Sequence, residues 1–166
     1  MTVKGPDGNL ESQLCHLMTR YEREILRTCY AILQDRQLAE DAVQETFLKA
    51  YKHLRDFRSE SSEKTWLMRI AINVCNDQRR SRWFRFMDRR VTPEELPVNS
   101  YSSHDTDLSD AILRLSHKQK EAVLLYYYHG MTIDETAAAL GVRPSSVSIR
   151  LKRARAQLKD LLEGDV

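Results

Sequence analysis

The chain has 166 residues, 42% of them aliphatic or aromatic and 30% charged, with a net charge of +2. That length fits one domain or two small ones, and so much charge keeps any single helical core small. No run approaches the ~18 apolar residues of a membrane span, and no basic, apolar and small pattern of a signal peptide opens the chain.

Cys15, Cys29 and Cys75 form no CxxC pair and leave one thiol over, which suits a reducing cytoplasm. Cys15 stands beside His16, but no further residue has metal-ligand spacing. His16, His53, His104, His117 and His129 are scattered without a matching acid or nucleophile, and no glycine-rich phosphate loop occurs. Neither an enzyme nor a metal or other cofactor is expected.

Glycine is scarce, three of the four prolines fall between residues 93 and 144, and β-branched alternation is absent. The expected fold is all-α, with helices near 10–33, 37–54, 63–84, 108–129, 133–140 and 145–162. Residues 1–9, "MTVKGPDGN", read as a loose tail.

The second helix, "AEDAVQETFLKAYKHL", carries Glu40, Asp41 and Glu45 early and Lys49, Lys52 and His53 late. That order matches the helix macrodipole. Asp41 and Glu45 also share a face with Gln44 and Leu48, an acidic-amide patch able to dock a basic or amide-rich helix. Val43, Phe47, Ala50 and Leu54 form the buried face.

In the third helix, Leu67, Ile70, Ala71, Val74 and Cys75 are spaced as core. Arg69, Asn73, Asn76 and Arg80 fall on another face, and Arg79, Arg82 and Arg85 extend the positive run. Asparagine can pair with an adenine edge or an extruded base, while arginines hold phosphates. The loop "FRSESS" before it, Phe57 to Ser62, offers hydroxyls that could lodge a base. Trp66 is either a core anchor or a stacking platform.

Residues 87–107, "MDRRVTPEELPVNSYSSHDTD", contain two prolines, a serine cluster and five acidic residues. Such a stretch buries little surface and reads as a linker. It divides the chain into a larger module, 10–86, and a smaller one, 108–166. Fully extended, a linker of this length reaches ~70 Å, about two turns of DNA.

The second module holds a short helix, a glycine turn and a basic helix. Thr132 and Glu135 form a T-x-x-E capping box. Ile133, Ala137 and Leu140 face inward, Gly141 supplies a positive φ, and Pro144 opens the next helix. This is a helix-turn-helix pattern. In the last helix Val147, Leu151, Ala154, Leu158 and Leu161 form the inward stripe. Ser145, Ser146, Ser148, Ile149, Arg150, Lys152, Arg153, Arg155 and Lys159 lie elsewhere, and no acidic residue interrupts 143–159. Small polar residues near the start and bases beyond suit a helix that enters the major groove and neutralises flanking phosphates. A solvated basic face is the plain alternative; the capped helix and turn in front favour DNA.

The stretch "DAVQETFLKAYKHLRDFRSESSEKTWLMRIAINVCND" resembles region 2 of bacterial RNA polymerase sigma factors of the extracytoplasmic-function (ECF) group. The tail "LSHKQKEAVLLYYYHGMTIDETAAALGVRPSSVSIRLKRARAQLKDLL" is similar to their region 4. Together they span nearly everything after residue 10, and the absence of a third conserved region fits the ECF group.

The resemblance implies a protein that binds core RNA polymerase, at the clamp helices of its largest subunit and at its flap, and directs promoter recognition. Asp41, Gln44 and Glu45, with Phe47 and Leu48, match the clamp-binding surface. The loop Phe57, Arg58, Ser59, Ser61 and Ser62, with Trp66, Asn73 and Asn76, matches the −10 element surface, where Arg69, Arg79 and Arg80 would hold the strand. Ser145, Ser146, Ser148, Ile149, Arg150, Lys152, Arg153 and Arg155 match the −35 surface, with Ser148, Ile149 and Lys152 facing bases and Arg150, Arg153 and Arg155 mostly on phosphates. Relatives commonly carry arginine at position 148 ("VRSRL"), where this chain reads "VSIRL". The resemblance also implies an anti-sigma factor. A stand-alone helix-turn-helix regulator is the alternative: it explains the second module but not Asn73 and the first arginine run.

Overall fold

The computed structural model describes residues 6–88 and 107–164, and every regular element among them is helical. The chain divides into two compact units, Met1–Pro97 and Val98–Val166. The linker expected at 87–107 falls mostly on 89–106, outside the described residues. None of the described helices is long and apolar enough to cross a membrane.

In the first unit α1 spans Pro6–Leu33, α2 Arg36–His53 and α3 Glu63–Asp88, with a 3-10 turn at Leu54–Asp56. The tail reading of 1–9 is corrected at its inner end, because α1 begins at Pro6. Proline is pre-set for the first helical position, where its missing N–H costs nothing. Leu17, Tyr21, Ile25, Cys29 and Ile32 recur along one face of α1 and are buried. The buried hydroxyls of Thr28 and Thr46 are satisfied within their own helices, donating to the carbonyls of Glu24 and Ala42 at 2.9 and 2.7 Å.

Gln34 adopts φ 51° and ends α1, and the Asp35 carboxylate caps α2 by accepting from the Leu38 N–H at 3.0 Å. Ala39, Ala42, Ala50 and Ala71 are fully buried, so small residues let the helices approach closely around Ile25, Leu67, Met68 and Ile72. Each of these large side chains contributes roughly 1.5–3 kcal/mol on burial.

The second unit contains α4 (Asp107–Leu113), α5 (His117–Val123), α6 (Ile133–Leu140) and α7 (Pro144–Glu163). The single helix expected at 108–129 is three pieces. Ser116 starts α5 with a capping box: its N–H donates to Gln119 Oε1 at 3.1 Å and its hydroxyl accepts from the Gln119 N–H at 3.4 Å. After Val123 the helix widens into a π-turn, Leu124–Tyr128, closed by the His129 N–H donating to the Leu124 carbonyl at 3.0 Å.

The capping box at Thr132 forms in both directions, with Glu135 N–H to Thr132 Oγ1 at 3.1 Å and Thr132 N–H to Glu135 Oε2 at 2.8 Å. Gly141 sits at φ 65°, ψ 35°. The Val142 N–H reaches the Ala137 carbonyl at 3.0 Å and the Gly141 N–H the Ala138 carbonyl at 3.3 Å, the pair of bonds that defines a Schellman stop. Leu115, Ala122, Val123, Ala137, Val147, Leu151 and Ala154 form the core, with Ile133, Leu140, Val142 and Leu158 packed around it.

Candidate nucleic-acid and protein interfaces

The outer face of α2 carries Asp41, Gln44 and Leu48, all solvent-facing, and Glu45, half-buried. Leu48 is 63% exposed, and no core packing accounts for a leucine there. Gln37 donates to Asp41 at 3.2 Å. Lys49 pairs with Glu45 at 3.1 Å and reaches across to Asp77 of α3 at 3.8 Å, tying the acidic face to the neighbouring helix. Phe47 is different. At 4% exposure it belongs to the core, so its placement with the polymerase-facing residues is corrected: it supports that face from beneath.

The loop between the 3-10 turn and α3 is anchored at both ends. Phe57 stacks on Trp66, ring centroids 4.7 Å apart, which makes Trp66 the clasp of the loop. The Ser62 hydroxyl accepts from the Thr65 N–H at 3.1 Å and contacts Thr65 Oγ1 at 2.9 Å, capping α3. Its oxygen is therefore engaged locally, whereas Arg58, Ser59 and Ser61 are exposed. Ser59 holds φ 56°, a left-handed conformation rare for a side-chain-bearing residue.

Beside this loop opens a cleft of about 480 Å³ lined by Gln13 and His16 of α1 together with Phe57, Ser59 and Glu63. Gln13 and His16 escaped sequence reasoning, since only the packed fold brings α1 to the loop. On α3, Arg69, Asn73, Arg79 and Arg80 are exposed and Asn76 is half-buried. Asp77 lies 3.9 Å from Arg80, a loose contact on an open surface and worth little.

On α7 the N-terminal turns present Ser145, Ser146, Ser148 and Ile149. Ser145, Ser148 and Ile149 are open to solvent and Ser146 is half-buried; the Ser148 hydroxyl donates to the Pro144 carbonyl at 3.3 Å. Lys152, Arg153 and Arg155 are exposed and Arg150 half-buried, while Val147, Leu151 and Ala154 point into the core. Arg155 donates to the Tyr127 hydroxyl at 3.0 Å, a contact that depends on the π-turn presenting Tyr127 outward. A positive, apolar-backed helix with small polar residues at its entry matches the requirements of groove binding.

Comparison with known proteins accounts for both units. Residues 17–85 match the family model for Sigma-70 region 2, and residues 105–158 that for Sigma-70, region 4. The chain is 32% identical over 151 residues to the ECF RNA polymerase sigma factor SigM of Mycobacterium tuberculosis, covering 88% of this chain and 75% of that one. It is 28% identical over 163 residues to the RNA polymerase sigma-H factor of Pseudomonas aeruginosa, covering 89% and 84%.

Among solved structures, the sigma factor RpoE in complex with the anti-sigma factor NepR from Bartonella quintana superposes with a TM-score of 0.76 at 29% identity, over 90% of this chain and 96% of that one. CnrH, in complex with the cytosolic domain of CnrY, gives 0.68 at 27% identity, over 94% and 91%. With both conserved regions present in order and a relative above 30% identity matched over three quarters of its length, the chain belongs to the ECF group of bacterial RNA polymerase sigma factors.

Proposed function

We propose that this sigma factor works in the cytoplasm, without catalytic chemistry of its own, by dividing three tasks among three surfaces. The face of α2 formed by Asp41, Gln44, Glu45 and Leu48 docks on the clamp helices of core polymerase. The loop Phe57–Glu63 and its cleft, with Asn73 alongside, take an extruded base of the −10 element, and Arg69, Arg79 and Arg80 hold the strand's phosphates. The N-terminal turns of α7 read the −35 element in the major groove, with the later arginines on phosphates.

Extruding a base costs a few kcal/mol, which pocket contacts and phosphate neutralisation offset. Each unit alone binds weakly, and joining them raises the effective concentration of the second contact. A stand-alone regulator accounts for α6 and α7 but leaves the region 2 match without a purpose. RpoE and CnrH were solved bound to NepR and CnrY; by that likeness, a protein of the anti-sigma kind holds this chain inactive by covering its polymerase-binding face.

The observation that carries the docking assignment is the contrast across α2, packed core on one side and an acidic-amide face with an exposed leucine on the other. Its test is Asp41→Arg. Asp41 is exposed, so the change should alter stability by no more than ~0.5 kcal/mol. Holoenzyme formation and run-off transcription, on a promoter selected by the wild-type holoenzyme from random-sequence DNA, should fall by at least ~10-fold, since like charge against a basic partner costs more than ~1.4 kcal/mol. Wild-type transcription by the variant would remove the docking assignment.

A further inference from the structure

We propose that Ile149 reads the C5-methyl group of one pyrimidine in the −35 element, so that α7 selects thymine there and takes 5-methylcytosine in preference to cytosine. This rests on the reading of α7 as the −35 surface. Ile149 is 51% exposed, whereas Val147, Leu151 and Ala154 of the same helix are at most 2% exposed. It therefore stands outside the inward stripe, and it lies in the N-terminal turns of α7, the part of such a helix that meets base edges.

The neighbours of Ile149 select the partner. On a helix a side chain stands beside those three and four positions away, here Ser145, Ser146, Lys152 and Arg153. None of them is apolar, and no acidic residue occurs between 143 and 159. A protein-docking face gathers apolar side chains into a continuous patch. Ile149 instead offers one apolar contact framed by hydroxyls and cations. The cations suit phosphates. The single apolar contact suits the one apolar group that a base pair presents in the major groove, the C5-methyl of thymine. Cytosine carries only hydrogen at that carbon, and methylation gives it the same surface. A β-branched side chain in a helix is nearly confined to one χ1 rotamer, so this contact forms with little loss of freedom.

The test uses reconstituted holoenzyme and the same selected promoter, with affinity measured at one fixed salt concentration because phosphate contacts make binding salt-dependent. Each thymine of the −35 element, on either strand, is replaced in turn by deoxyuridine, which removes the methyl group and keeps every hydrogen-bonding atom. At one position wild-type protein should lose about fourfold in affinity, the size expected for one buried methyl group. At that position 5-methylcytosine should bind about fourfold more tightly than cytosine. I149A should bind the thymine promoter about fourfold more weakly and respond to neither methyl group, and circular dichroism checks its fold. The wild-type scan stands without any variant. A selected element with no A·T pair, no deoxyuridine effect, or an effect that persists in I149A overturns the Ile149 assignment. Weaker −35 binding by R153A would then show that the reading of α7 stands, and if R153A also binds as wild type does, both fall. Loss of core-polymerase binding by I149A, with no methyl effect in the wild type, would make position 149 a protein contact and overturn the proposal as well.

Discussion

Replacing Gly141 by alanine isolates the energetic role of the turn that joins α6 to α7. The glycine sits at φ +65°, and a Cβ built there meets nothing within 4 Å. Collision therefore adds nothing to the penalty, and what remains is the cost of holding an L-residue in the left-handed region, roughly 1–2 kcal/mol. Alanine returns part of this by restricting the unfolded chain, by ~0.4–1 kcal/mol. The expected net loss is about 1 kcal/mol. In a domain of this size that lowers the unfolding midpoint by about 4–8 °C.

Asparagine tolerates the left-handed conformation, so Gly141→Asn should lose less than half as much as Gly141→Ala. The assay is thermal unfolding of the full chain by far-ultraviolet circular dichroism. Tryptophan emission serves as the internal reference, because Trp66 and Trp83 both lie in the first unit. Equal losses for alanine and asparagine would show that backbone handedness is not what the position demands. A loss above ~3 kcal/mol would mean that the open space beside Gly141 is filled, and either result refutes the reasoning.

Two further outcomes follow from other residues. Ser148→Arg restores a fork able to pair with guanine O6 and N7, so selection of −35 sequences by the variant holoenzyme should shift toward guanine at one position by ~1–3 kcal/mol, about ten- to a hundredfold; an unchanged preference would place residue 148 outside the groove. Burial holds the Tyr21 phenol above its usual value of 10.0, with Glu63 and Glu24 adding to the effect and Arg20 opposing it. The unfolded chain ionises first, so this stabilisation is complete below about pH 10 and fades as pH rises through the folded-state value. Tyr21→Phe should therefore flatten the alkaline fall in stability, and parallel wild-type and variant curves would contradict the assignment.

The parts of the fold written in local chemistry were legible in the sequence. Thr132, Glu135, Gly141 and Pro144 each act within four residues of themselves, and spacing alone identified the inward stripe of α7. Two errors had readable signals. The S-x-x-Q at 116–119 marked the start of α5 but was passed over because the apolar groups at 111–115 and 122–128 were joined into one helix, and Pro6 marked the start of α1 but was hidden among turn-forming neighbours. For Phe47, spacing indicated the core and resemblance indicated the surface; burial favours spacing. The π-turn had no such signal, because an i to i−5 bond changes no residue preference that periodicity can detect. Nor could one strand of sequence reveal Lys49 reaching Asp77, or Gln13 and His16 closing a cleft against the serine loop. Those contacts join residues far apart in the chain and exist only once the helices pack.

The clasp of Phe57 on Trp66, with Ser62 pinned to Thr65 at the other end, means that the loop has already surrendered most of its freedom before any ligand arrives. Such a receptor loses little on occupation and so binds more tightly for the same contacts. In the proposed −10 role, discrimination among nucleotides would then rest on a loop whose two ends are set in advance rather than on folding on contact.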